Sequence, residues 1–184
     1  MSGRPGFDEV FAGEFPLPPL DAPGSLVERQ GHWRQRLADE IYGPLPGAPE
    51  HLEARCEPLT GEAAERVAIR LDHKGRSFEV DAALWRPVSD QPAPLIAGLG
   101  FVGPLGVLPG TGFPVDRHAR VHTRPEWGAP AGRLDDVLRG TEMHRWPVED
   151  LTRAGYAVLV SCYGSWAPDD PLEFCSHGLR PFLG

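Results

Sequence analysis

The chain has 184 residues, 20.1 kDa, and a formal net charge of −8, with 41% hydrophobic and 24% charged residues. That suits one domain or part of a larger one, and the negative charge argues against a polyanion partner such as nucleic acid. No apolar run approaches the roughly 20 residues of a membrane helix, and the three cysteines, Cys56, Cys162 and Cys175, form no CxxC pair, which excludes a zinc ribbon and disfavours a disulfide scaffold.

Glycine and proline together supply 43 residues, so turns and loops take a large share of the chain. Residues 1–24 have little periodicity, and Pro16-Leu17-Pro18-Pro19-Leu20 reads as an extended N-terminal arm. No apolar h-region precedes it, which predicts a cytoplasmic protein. Residues 25–42 read as a helix. Ser25 is placed to cap it, with Glu28 as capping-box partner, and Leu26, Arg29, Trp33, Leu37 and Ile41 follow helical spacing. Gly43-Pro44 should stop it, and Pro46 and Pro49 should keep the next segment extended.

Residues 65–72 and 77–85 alternate apolar and polar positions around Asp72-His73-Lys74-Gly75-Arg76. This predicts an antiparallel hairpin. Residues 94–102 and 156–162 are continuous apolar runs, the signature of strands covered on both faces. Between them, residues 141–154 carry helix punctuation: Thr141 as cap, Pro147 in the first turn, Gly155 just past the end. Strand, helix, strand predicts a parallel βαβ unit. Residues 103–140 form a long connection, with eleven glycines and prolines in residues 103–132; connections of that length are usually functional or disordered. An antiparallel hairpin leading into a parallel sheet is how an α/β-hydrolase begins, so the fold class expected is α/β, the N-terminal part of that fold, with residues 25–184 an incomplete domain.

The chemistry of that fold needs a serine in G-x-S-x-G, on a strained turn that exposes its hydroxyl. None of the seven serines has glycine at both −2 and +2. Ser161 lies within an apolar strand and reads as a small buried hydroxyl; Ser176, with Gly178 at +2, is half a match, and Ser165 has Gly164 just before it but Ala167 at +2. Cys162 ends the second apolar run and reads as a structural thiol, and Cys175 and His177 are too near in sequence for a nucleophile–base pair. Asp116, His118 and His122 have helical ligand spacing, but Gly112, Pro114 and Pro125 argue against a helix to hold it, and no metal or other cofactor is expected. No residue in the chain is therefore assigned as catalytic. An independent enzyme built on Cys162 or the 116–122 histidines is the least favoured reading.

Gly98-Leu99-Gly100-Phe101-Val102-Gly103 matches G-x-G-x-x-G, but Pro104 and a loop follow rather than a helix, so the glycines read as a tight turn at the strand's end. In α/β-hydrolases the loop after this strand supplies a backbone N–H to the oxyanion hole, which places Phe101 or Val102 there. Trp127, Arg145, Trp166 and Asp169 are expected at the same edge as a pocket rim, with aromatic and charged groups suited to a sugar or uronate. Trp146 reads first as packing.

Several segments in order resemble the bacterial glucuronoyl esterase-like, or acetylxylan esterase-like, carbohydrate esterases. Trp33-Arg34-Gln35-Arg36 running to Tyr42-Gly43-Pro44-Leu45-Pro46 is similar to their W-x-x-R…YG-x-x-P. Leu99-Gly100-Phe101-Val102-Gly103 is similar to LNF-x-GN, Arg139-Gly140 through Arg145-Trp146-Pro147-Val148-Glu149 to RG-x-x-x-x-RWPVE, Arg153-Ala154-Gly155-Tyr156-Ala157 to RGYA, and Tyr163-Gly164 with Pro168-Asp169 to YGD-x-x-PD. Gly178-Leu179-Arg180 sits where they carry a G-V-R/H step. Gly100 stands where that family has Asn, Pro104-Leu105 replace its N-H step, and Ser165 follows Gly164 instead of Asp.

The resemblance implies an α/β-hydrolase that cleaves glucuronoyl or acetylated sugar esters with a serine nucleophile. Members of the family are usually secreted. It covers only the family's N-terminal portion; the triad and oxyanion arginine lie beyond it, so this chain is expected to be inactive. A carbohydrate ester is the expected substrate of the completed protein. The alternative is a non-catalytic carbohydrate- or partner-binding module. A truncated sheet needs a second copy, or a complementary C-terminal chain, over its open edge.

Overall fold

The computed structural model describes residues 24–42, 47–89 and 91–183. The arm expected over residues 1–24 lies almost wholly outside them, as do the Gly43-Pro44 stop and Pro46. The chain divides into two compact units, Met1–Gly47 and Ala48–Gly184.

The first unit contains helix α1, Leu26–Leu37, followed by a π-helical segment, Ala38–Tyr42. Ser25 is extended, its Oγ accepts the Glu28 amide at 3.3 Å, and the Glu28 carboxylate accepts the Ser25 amide at 2.7 Å. These bonds satisfy amides that the helix start would otherwise leave without acceptors, and they hold the Glu28 carboxyl below its usual pKa. Ser25→Ala should raise hydrogen-exchange rates of the first-turn amides about fivefold, the equivalent of a lost cap of about 1 kcal/mol; unchanged rates would show that the cap contributes nothing.

The second unit is built on a five-stranded sheet. Its strands are β1 His51–Pro58, β2 Glu65–His73, β3 Arg76–Trp85, β4 Leu95–Gly100 and β5 Ala157–Cys162. They lie in the order β1-β2-β3-β5-β4. All neighbours are antiparallel except β4 and β5, which are parallel. The β2–β3 hairpin turns on Lys74 and Gly75, both at positive φ (48° and 72°), as a two-residue turn with the twist of the flanking strands requires. Sequence reading missed β1. Its side chains are mostly exposed, so neither face imposes an apolar pattern, and its charged residues protect a sheet edge.

The two faces of the sheet carry separate clusters. Ala83, Trp85, Val158, Val160 and Cys162 pack into the larger one, and Val67, Ala82, Leu84 and Ala157 into the smaller. The β5 run is buried as expected. The β4 run is not: Leu95, Ala97 and Leu99 are exposed, Leu95 at 54% and Leu99 at 58%. β4 is the last strand on its side of the sheet, so its apolar residues lack the cover their composition suggested.

The helix expected over 141–154 is shorter. A 3₁₀ turn, Met143–Arg145, precedes helix α3, Val148–Arg153; the single helical turn α2 comes earlier, at Pro104–Val107. Thr141 does not cap; its hydroxyl donates to the Leu138 carbonyl. Pro147 holds Trp146 extended (φ −121°, ψ 90°), which separates the two turns. Gly155, at φ 91°, does end the helix as expected.

The 103–140 connection is a large part of the core. Leu105, Leu108, Val121 and Leu138 within it are almost fully buried. Irregular backbone needs side-chain partners for its carbonyls, and two arginines, Arg120 buried and Arg139 partly buried, provide them. Arg139 donates to the carbonyls of Gly110 and Phe113. Arg120 donates to those of Arg117, His118 and Ala119, and pairs with Glu173 at 2.7 Å. The chain then runs through α4, Tyr163–Trp166, to α5, Leu179–Leu183, where Phe182 is buried beside Phe78 and His73. Among the described residues no helix is long and apolar enough to cross a membrane.

Candidate functional site

Parallel pairing brings β4 and β5 to an end together, with Gly100 opposite Cys162. The next residues, Phe101 and Tyr163, therefore meet: their rings stand edge to face with centroids 5.6 Å apart. The Arg145 guanidinium lies 5.6 Å from the centroid of the half-exposed Phe101 ring. The Tyr163 hydroxyl donates to Asp169 at 3.0 Å and accepts the His122 amide at 2.8 Å. Burial, opposed by the His122 amide and assisted by Asp169, pushes the Tyr163 phenol up to about 12, so it serves as a neutral donor. Arg145, Phe101, Tyr163 and Asp169 thus form one contact strip at the carboxyl ends of the parallel strands.

Beneath the strip lies Glu142, 5% exposed. Its carboxylate accepts the Val102 amide at 3.2 Å and approaches the Arg145 guanidinium at 3.4 Å. Its own amide donates to the Gly106 carbonyl at 2.7 Å. One buried side chain therefore ties the 141–146 turns to the turn after β4.

The three glycines of the G-x-G-x-x-G stretch are there for steric reasons. A Cβ on Gly98 would come within 2.6 Å of the Trp146 ring, and one on Gly100 within 3.1 Å of the Gly103 Cα. Gly103 has φ 64° and faces the Cα of Cys162, where a Cβ would approach to 2.6 Å. A helix does open after Gly103, contrary to the sequence reading, but α2 has only four residues. Trp146 packs against the core, as expected.

Of the other expected rim residues, Trp166 donates its indole N–H to Ser161 Oγ at 2.9 Å and packs on Phe78. Trp127 packs against the core under Arg124. Neither contacts the strip through these groups. Ser161 donates to the Asp81 carbonyl at 2.8 Å, which makes it the buried, backbone-bonded hydroxyl that its sequence position suggested. Ser176 Oγ lies 3.0 Å from His177 Nδ1, and Glu173 lies 3.9 Å from the same nitrogen. A triad base needs nucleophile and carboxylate on opposite ring nitrogens, so this is not one. Asp116 caps the amides of His118 and Ala119, and no group of three metal-ligating side chains occurs among the described residues.

Cys162 is 3% exposed, and burial pushes its thiol up to about 11. At pH 8 only about one molecule in a thousand would carry the thiolate. In native protein, Cys56 and Cys175, both exposed, should react with a thiol reagent at pH 8 and Cys162 should not; three equivalents titrating at one rate would contradict its burial. The raised pKa also means the folded state keeps a proton that the unfolded state loses. Stability should therefore fall as pH rises from about 9 towards 11.

Sequence reading did not single out Glu142 or Tyr163 as site residues. Tyr163 carried a usable signal, since it directly follows a buried parallel strand and ligands gather at the carboxyl ends of such strands. Glu142 carried none beyond its place between two turns.

No family model matches the chain, and no curated protein does. Solved structures do. A promiscuous CE15 esterase from the marine bacterial metagenome is 24% identical, with a TM-score of 0.64 over 84% of this chain and 39% of that one. Two structures of a glucuronoyl esterase from Solibacter usitatus are 27% and 26% identical, with TM-scores of 0.63 and 0.64. They cover 84% and 91% of this chain, and 39% and 45% of theirs. The chain spans less than half the length of the esterases it matches. Its mixed sheet has the α/β-hydrolase-like fold of the CE15 carbohydrate esterases, and the chain is similar to part of a glucuronoyl esterase.

Proposed function

We propose that this chain is the β1–β5 portion of a carbohydrate esterase that hydrolyses glucuronoyl or acetylated sugar esters, and that these 184 residues alone are inactive. The observation that supports this is the strip at the ends of β4 and β5, set on an esterase-like sheet. Phe101 and Arg145 form the substrate-facing rim, with Asp169 at its other end. The Val102 amide is engaged by Glu142, which leaves Phe101 as the oxyanion donor on that turn. Acyl transfer also needs a nucleophile, a base and a second oxyanion donor together, and no described serine or cysteine has such neighbours. The purified chain should therefore show no turnover of an activated acyl ester above background. Turnover that persists through purification and is abolished by a serine-trapping reagent would overturn the proposal.

A second reading is favoured by one observation. β4 runs Leu95–Gly100 without a charge or proline, and its outward leucines are exposed, the type of edge that proteins normally cover. On this reading the chain is a binding module that covers β4 with a second copy or a complementary chain. Light scattering on the eluting protein decides: a dimer or larger at micromolar concentration supports it, and a stable monomer removes it.

A further inference from the structure

One sizeable cleft of the second unit lies away from the strand ends. It is an open hollow of about 760 Å³ against the polar face of β1, β2 and β3, with Pro114–His118 as its wall. Cross-strand register explains the hollow. Arg55, Ala68 and Asp81 lie opposite one another across the three strands, as do Glu53, Arg70 and Glu79 in the next row on the same face. Long charged side chains surround a single methyl at Ala68, and the space above it is the cleft. Its volume falls within the range of small-ligand sites.

Four arginines (Arg55, Arg66, Arg70 and Arg117) and four carboxylates line the cleft, so its formal charge is balanced although the chain as a whole carries −8. The carboxylates are already engaged: Asp81 by Arg66 at 3.0 Å, Glu79 by Arg70 at 2.9 Å, Glu53 by Arg55 at 2.8 Å, and Asp116 by the amides of His118 and Ala119. Arg70 is the most engaged, donating to Asp72, Glu79 and Ser77, and Arg66 faces Glu57 as well as Asp81, whereas Arg55 bonds Glu53 through Nε and its terminal N–H groups have no hydrogen-bond partner among the described residues. Arg117 is exposed, and its side chain makes no ion pair or hydrogen bond among the described residues. Arg117 and the terminal N–H groups of Arg55 are therefore cationic donors of the cleft without a protein partner among the described residues, a pairing suited to a carboxylate or phosphate group.

We propose that this cleft is a binding site for a small oxyanion-bearing ligand, a sugar acid or a sugar phosphate, separate from the Phe101–Asp169 strip. The ligand's anionic group docks on Arg117 and the terminal N–H donors of Arg55, and its body occupies the hollow over Ala68. The site needs no turnover and does not depend on the esterase reading.

Titration of the full chain with D-glucuronate, glucose 6-phosphate and glucose, followed by calorimetry or chemical-shift changes, tests it. Saturable binding of glucuronate or glucose 6-phosphate is expected, with glucose at least about tenfold weaker; the tighter anion identifies the source as carboxylate or phosphate ester. Arg117→Ala, at an exposed position, and Ala68→Leu, which fills the hollow, should each weaken that binding about tenfold with the thermal midpoint unchanged for Arg117→Ala. Arg145→Ala should leave it unaltered, which separates this site from the strip. No saturation by either anion, equal binding of glucose, or binding lost in Arg145→Ala and retained in Arg117→Ala overturns the proposal.

Discussion

Gly103→Ala is expected to destabilise the second unit by about 3–5 kcal/mol, a combination of left-handed backbone strain and overpacking against a strand that cannot move aside. The new methyl would approach the Cα, Cβ and N of Cys162, at 2.6, 2.6 and 2.7 Å. Most of that obstacle is backbone of β5, which is paired on both sides, to β3 and to β4. Gly155→Ala is the natural control. Gly155 also has positive φ (91°), but no atom lies within 4 Å of the added Cβ, so only the conformational cost remains, about 1 kcal/mol. Urea unfolding midpoints of the two variants test the comparison. If Gly103→Ala is as mild as Gly155→Ala, the close approach of the turn to β5 is wrong, and with it the placement of Phe101 beside Tyr163.

Glu142→Leu should cost about 2–4 kcal/mol, mainly because the Val102 amide would be left buried without an acceptor. Val102 is 1% exposed, so water cannot replace the lost carboxylate there. The ion pair with Arg145 contributes less, since Arg145 is half exposed and its charge is well solvated. Glu142→Gln keeps an acceptor oxygen and should lose less than half as much. Denaturant melts measure the difference. A Leu variant as stable as the Gln variant would show that the Val102 bond does not matter. The Leu variant should also release Arg145 from its position over Phe101, visible as a shift in the Phe101 ring resonances.

These two residues also show where sequence reading reaches its limit. The β2–β3 hairpin was legible because alternation over two strands and a Lys-Gly turn state both partners and their register locally. The Ser25–Glu28 cap was legible for the same reason, since every atom involved lies within three residues. The order of elements leading to a parallel pair was legible from two apolar runs and the punctuation between them. β1 was not, because an exposed edge strand has no buried face to pattern. The depth of burial of β4 was not either. An apolar run records that a strand can be covered, while its neighbours in the sheet determine whether it is.

The residues of the candidate site divide in the same way. Sequence alone determined that no nucleophile elbow is present, that the glycines of residues 98–103 end a strand, and that Phe101, Arg145 and Asp169 belong near that end, because these conclusions rest on residue type and local order. Only the tertiary structure decided that Tyr163 joins Phe101 to Asp169, that Glu142 holds the Val102 amide, that Trp166 serves Ser161 instead, and that the loop from 103 to 140 is core. Each of those depends on contacts between segments tens of residues apart, whose pairing is set by the parallel register of β4 and β5 and by steric fit at Gly103. Residue type carries the capacity to make such contacts, and the partner exists only once the chain has closed around it.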